Sequence, residues 1–199
     1  MQLGLSESAY VRKEKVTRQQ RFLQEMDQVV PWAELEKCVS PYYDKTGVKG
    51  GRPPVRLGIM LRIHFLQQWF SLSDPGMEEK LYEVPSICAF AGINRSLMDV
   101  PDETTILNFR HLLEKHQLAQ VLFDCVNDLL SARGLLLKQG TLVDATLIGA
   151  PSSTKNQDGR RDPEMHSTKK GEQWYFGMKA HVGVDAQSGP VHTVVGTSA

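Results

Sequence analysis

Asp144 stands in the run Gly140-Thr-Leu-Val-Asp-Ala-Thr-Leu-Ile-Gly149, whose apolar and β-branched residues read as a strand. Side chains alternate along a strand. Leu142, Asp144, Thr146 and Ile148 therefore share one face, and Thr141, Val143, Ala145 and Leu147 the other. An ionised carboxylate among Leu142, Thr146 and Ile148 is costly unless it is paired, hydrogen-bonded or bound to a metal. Two readings stay open. Asp144 is a ligand for a hard divalent cation, which takes oxygen donors, or it is an Asp held at a strand end by local hydrogen bonds.

Further chemistry-bearing residues flank this strand. Downstream, Lys155, Arg160, Arg161, Lys169 and Lys170 lie among Ser152, Ser153, Thr154, Ser167 and Thr168. These are donors suited to phosphate oxygens. Asp158, Asp162, Glu164 and Glu172 dilute the charge, as in an ordinary solvated loop. Trp174, Tyr175 and Phe176 could stack on bases or anchor a strand in a core. Upstream, Asp102-Glu-Thr-Thr-Ile-Leu-Asn-Phe-Arg110 reads as a capped helix carrying Thr104, Thr105, Asn108 and Arg110. Such residues read base edges or hold phosphates, and a helix-turn-helix would place them in a groove. Many small helical domains share the pattern without binding nucleic acid. His166, His181 and His192 match no metal-ligand spacing. Asp185 opens a Gln-Ser-Gly turn and reads as a turn residue. Gly50-Gly51-Arg-Pro-Pro lacks the Gly-Lys-Ser/Thr end of a phosphate-binding loop, and no G-x-S-x-G nucleophile pattern is present.

The elements that must position these residues change character along the chain. Residues 12 to about 135 read as helical. In residues 12–30, Val16, Phe22, Leu23, Met26 and Val30 lie near one face. Pro31 ends that helix and opens a short turn with Trp32 and Leu35. Glycines and prolines make residues 41–54 a loop. Residues 55–70 are strongly apolar at helical spacing. Ser73-Asp74-Pro75 and Asp102 are helix starts, and Pro85 is a break. The stripe from Leu118 to Leu130 stops at Gly134. Beyond it the period falls from 3.6 to 2: strands at residues 139–149, 175–185 and 191–195, with residues 150–173 as a loop.

Net charge is zero over 199 residues, 41% of them hydrophobic, which suits one or two packed domains. The balance is +4 over residues 1–62 and −5 over residues 63–150, which fits a chain meeting a polyanion at its basic end. Cys38, Cys88 and Cys125 form no C-x-x-C pair and read as reduced cytosolic thiols. No apolar run reaches 18 residues and no secretion signal is visible, so neither membrane nor export is expected.

Linked motifs then run in order: Gly51-Arg-Pro-Pro, Met60-Leu-Arg-Ile-His64, Gln68-Trp-Phe-Ser-Leu-Ser-Asp74, Pro101-Asp-Glu-Thr-Thr-Ile-Leu-Asn-Phe-Arg-His-Leu-Leu-Glu114, Gly140-Thr-Leu-Val-Asp-Ala-Thr146, Ala150-Pro-Ser-Ser-Thr-Lys-Asn156, Arg161-Asp-Pro-Glu-Met-His166 and Phe176-Gly-Met-Lys-Ala-His-Val-Gly-Val-Asp185. From about Arg18 to Ala199 the chain closely resembles bacterial transposases of the insertion-sequence-five family. The resemblance implies an α+β architecture. An all-helical DNA-binding domain, residues 1–135, precedes an incomplete ribonuclease H-like domain, residues 136–199, holding its first three strands. It implies that Asp144 is the first acid of a DDE triad that holds two Mg²⁺ ions for phosphoryl transfer.

The expected partners are double-stranded DNA (terminal inverted repeats and target) and further copies of the chain or a full-length transposase, in a bacterial cytoplasm at the nucleoid. Arg52, Thr105, Asn108 and Arg110, together with Lys155, Arg160, Arg161, Lys169 and Lys170, are the candidate DNA contacts. In the family, the second Asp and the Glu lie on a continuation beyond the position of Ala199. The chain is therefore expected not to nick or join DNA by itself. The alternative function is a truncated DNA-binding regulator that competes with full-length transposase. A free-standing helix-turn-helix regulator fits poorly with the strands.

Overall fold

A computed structural model describes residues 16–43, 54–136, 140–152, 154 and 160–199. The chain divides into two compact units, Met1–Val126 and Asn127–Ala199. The described residues form seven helices followed by a four-stranded antiparallel sheet, an α+β chain. Among them no helix is long and apolar enough to cross a membrane.

Each helix start has a local cause. Thr17 opens α1 (Arg18–Val29) with a capping box: its hydroxyl accepts from the Gln20 amide at 3.1 Å, and the Gln20 side chain accepts from the Thr17 amide at 2.7 Å. Among the described residues the helix starts at Arg18 behind that cap; residues 12–15 of the expected helix lie outside them. The residue pair Pro31-Trp32 begins a full helix, α2 (Trp32–Val39), where a short turn was expected. It is fixed by Leu35 and Val39, both fully buried. α3 (Leu57–Phe70) buries Ile59, Met60, Leu61, Ile63 and Leu66, so it is apolar nearly all round, as a central helix must be. It ends at Ser71, whose φ of 51° is left-handed. The Ser73 hydroxyl caps α4 (Asp74–Glu83), and Pro85 opens α5 (Pro85–Phe90). Asp102 caps α6 (Glu103–Lys115) by accepting from the Thr105 amide at 2.7 Å. α7 (Leu118–Ala132) closes the series.

The helices share one core, in which Leu61, Ile63, Leu66, Met77 and Leu81 have no exposed surface. An aromatic layer lies against it, with Trp32 edge-on to Phe65 at 5.4 Å and Trp69 edge-on to Phe22 at 5.2 Å. Arg62 stacks over Trp32 at 4.4 Å and pairs with Asp27 at 2.6 Å.

The sheet is built on one long strand. β3 (Gln173–Asp185) pairs along one edge with β1 (Thr141–Gly149). It also pairs with β2 (His166–Lys170) at residues 173–177 and with β4 (Val191–Ser198) beyond them. Two expectations need correction. The sheet has four strands rather than three, and residues 166–170 are strand rather than loop. Ser167, Thr168, Lys169 and Lys170 show no apolar alternation. They are held extended by backbone pairing to Gln173–Gly177 across a two-residue turn, Gly171-Glu172, with Gly171 at φ 65°.

Candidate functional site

Asp144 lies mid-strand in β1, opposite Val182 of β3. Its Oδ1 accepts the Ala145 amide at 2.8 Å. The carboxylate is exposed, and so are Leu142 at 63% and Ile148 at 55%. The desolvation penalty expected from those neighbours therefore does not arise. An exposed carboxylate on a fixed strand fits one coordination position of a hard cation, whose shell holds about six oxygens. Among the described residues no group of three His, Cys, Asp or Glu side chains could hold a metal. The described residues supply that one ligand and not the set.

Asp185 is different in kind. It is 1% exposed, and its Oδ1 accepts the Gln187 and Ser188 amides at 3.0 and 2.8 Å, which is the turn role its neighbours implied. The histidines have local partners as well. His181 Nε2 is 3.0 Å from the Thr197 hydroxyl. The His192 ring lies 3.2 Å from the Thr141 hydroxyl and 2.8 Å from that of Thr193. It reaches Thr141 across Gly183, where a Cβ would come within 3.3 Å of the ring.

The described basic residues of this segment lie on β2 and just before it. Arg161 donates to the Ser152 carbonyl at 3.0 Å, and its guanidinium lies over Phe176, 5.5 Å from the ring centre. Lys169 and Lys170 are exposed on β2, and Lys169 faces Trp174 across the ladder. Arg160 is exposed. Lys155 and Arg52 lie outside the described residues.

In the helical unit, α6 turns Thr104, Asn108, His111 and Lys115 to one exposed face at helical spacing. Thr105 is half-buried, and its amide belongs to the Asp102 cap. Arg110 forks onto Asp74, Nε to Oδ1 at 2.9 Å and an Nη to Oδ2 at 2.8 Å. Buried Gln67 donates to the same carboxylate at 2.8 Å. The Arg110 hydrogen bonds hold the Asp74 carboxyl below the usual carboxylate range and push the guanidinium up. A DNA phosphate at Arg110 would have to compete with that carboxylate. Sequence reasoning missed Asp74 and Gln67 because 36 residues separate Arg110 from Asp74 and nothing local marks the pairing. His64 lines an apolar groove of about 370 Å³ with Phe65, Trp69, Leu122 and Phe123. Burial, and secondarily the Arg110 charge, lower its pKa to about 4.

Residues 10–112, just over half of the chain, match the family model described as a transposase domain (DUF772). The chain belongs to the transposases. Residues 136–199 match a second model, the transposase DDE domain. That segment holds Asp144 and the whole sheet of this transposase, and the first match holds most of α6. Membership places it in an enzyme family of DNA transposition whose DDE domains work with divalent metal ions. No solved structure matches the chain.

Proposed function

We propose that this chain is a transposase of the insertion-sequence-five type, in which residues 1–135 bind transposon-end DNA. In this reading, residues 136–199 are the opening strands of a ribonuclease H-like domain, and Asp144 is the first acid of its DDE triad. The observation that carries this reading is the position of Asp144. It is an accessible carboxylate fixed mid-strand within the segment that matches the DDE model. When bound there, Mg²⁺ would supply charge stabilisation for phosphoryl transfer. The chain's own contribution is to orient that ligand through the β1–β3 ladder and the Ala145 amide.

End recognition falls to the exposed face of α6 around Asn108, with Thr105 beside it and Arg52 as a phosphate contact. Arg110 acts chiefly as a positioning residue that locks α6 to α4 through Asp74. Lys155, Arg160, Arg161, Lys169 and Lys170 hold phosphates of DNA entering the sheet unit.

Among the described residues no group of three His, Cys, Asp or Glu side chains could hold a metal, and one carboxylate with water ligands holds Mg²⁺ weakly. In this reading the chain binds end DNA without cutting it and competes with an active transposase for the same ends. Incubation of the purified chain with labelled end DNA and Mg²⁺ tests both parts. The wild type and Asp144→Ala should shift the DNA equally, and neither should yield a nicked product. A nick present in the wild type and lost in Asp144→Ala would overturn the binding-only reading and leave the metal role of Asp144 standing.

A further inference from the structure

Resting on the reading that this chain handles DNA, we propose that the β2–β3 hairpin is a base-stacking arm. Trp174 caps an unpaired base at a DNA end, while Lys169 and Arg161 hold the adjoining phosphates.

The arm stands out in the ladder register. β1 pairs with β3 only from Gly177 onward, and β4 only from Met178 onward. Residues 173–176 therefore have β2 as their strand partner, and the Ala150 amide adds one bond at the Phe176 carbonyl. At about 3.4 Å per residue the arm reaches roughly 14 Å beyond Gly177. Its root is fixed by a glycine: Gly177 has φ 154°, and a Cβ there would collide with the Ile148 carbonyl oxygen.

One face of the arm combines rings with cations. Directly opposed residues of an antiparallel pair point the same way, so Lys169 and Trp174 share a face with Ser167 and Phe176. The Arg161 guanidinium over Phe176 lies on that same face. Trp174 is 68% exposed, whereas Trp32 and Trp69 pack into the aromatic layer of the helical unit. A large ring left in water beside two cations matches a base flanked by phosphates, since stacking tolerates any base and the charge follows the backbone. Of the acids nearby, Glu172 is in the tip turn, and Glu164 and Asp162 precede β2, where Asp162 accepts the Glu164 amide.

The test compares two probes of the same duplex sequence, one blunt and one with a short single-stranded overhang carrying 2-aminopurine. With the full chain, the overhang probe should bind more tightly, and its fluorescence should be quenched. Trp174→Ala should weaken overhang binding at least about fivefold and abolish the quench, with blunt-duplex binding unchanged. Trp174→Phe should retain both, which separates stacking from loss of fold. Lys169→Gln should lower the salt slope by roughly 0.7. Equal overhang binding and equal quench in the wild type and Trp174→Ala, with blunt binding intact, overturns the arm and leaves the DNA reading standing. No binding to either probe overturns both.

Discussion

Leu61 in α3 has no exposed surface, whereas Leu142 in β1 keeps 63% of its own. The two leucines represent their units. The helical unit hides its apolar residues in one shared core. In the sheet, Leu142, Val143, Ile148, Val194 and Val195 all remain about half exposed or more. The helices are held by burial, at about 25 cal/mol per Å² of apolar surface. The sheet strands are held mainly by backbone ladders, with Asp185 and Gly183 fixing one end. These residues fall on both faces of the sheet, Leu142, Ile148 and Val194 on the side of Asp144 and Val143 and Val195 on the other. Apolar burial is therefore distributed unequally between the units.

The largest expected effect tests that contrast directly. Leu61→Ala should cost about 2–5 kcal/mol in urea unfolding, whereas Leu142→Ala should stay within about 0.5 kcal/mol. Equal costs would erase the distinction. The next effect belongs to the helical unit. His64 has a folded pKa near 4 against 6.5 for the free group. As pH falls, the unfolded chain takes the proton first. The stability from neutral His64 is thus complete above about pH 6.5 and lost as pH drops toward 4. The loss is on the order of 3 kcal/mol. His64→Phe should flatten the melting temperature over that window; an unchanged slope would remove His64 as the cause. The smallest effect is local to the sheet. Gly177→Ala forces a Cβ onto the Ile148 carbonyl and should cost about 2 kcal/mol. Faster amide exchange at Ala150, with the helical unit unchanged, would register it.

Much of the helical unit was legible because its signals are local. Ser73 and Asp102 announce helix starts through side chains that cap within three residues, whereas the Thr17 capping box went unread. The strand holding Asp144 was legible from alternation. What escaped reading depended on partners distant in sequence. Lys169 and Lys170 look like loop residues until Gln173–Gly177 pair with them. The fork of Arg110 onto Asp74, a carboxylate that Gln67 also donates to, joins residues 36 apart in the chain. Asp144 looked buried because alternation tells which residues share a face and not whether anything covers that face.

The imidazole of His192, on β4, lies over Gly183 of β3 and touches the Thr141 hydroxyl on β1. One side chain thus laces three strands at the end of the sheet farthest from Trp174. At the other end the hairpin leaves β1 and β4 at Gly177 and runs on with the strand pairing of β2. The whole behaves as a cantilever, clamped where the imidazole crosses and free where the indole projects. Thermal sway should grow steadily from one to the other, and it gives the indole latitude to search for a docking angle without loosening the strand that carries Asp144.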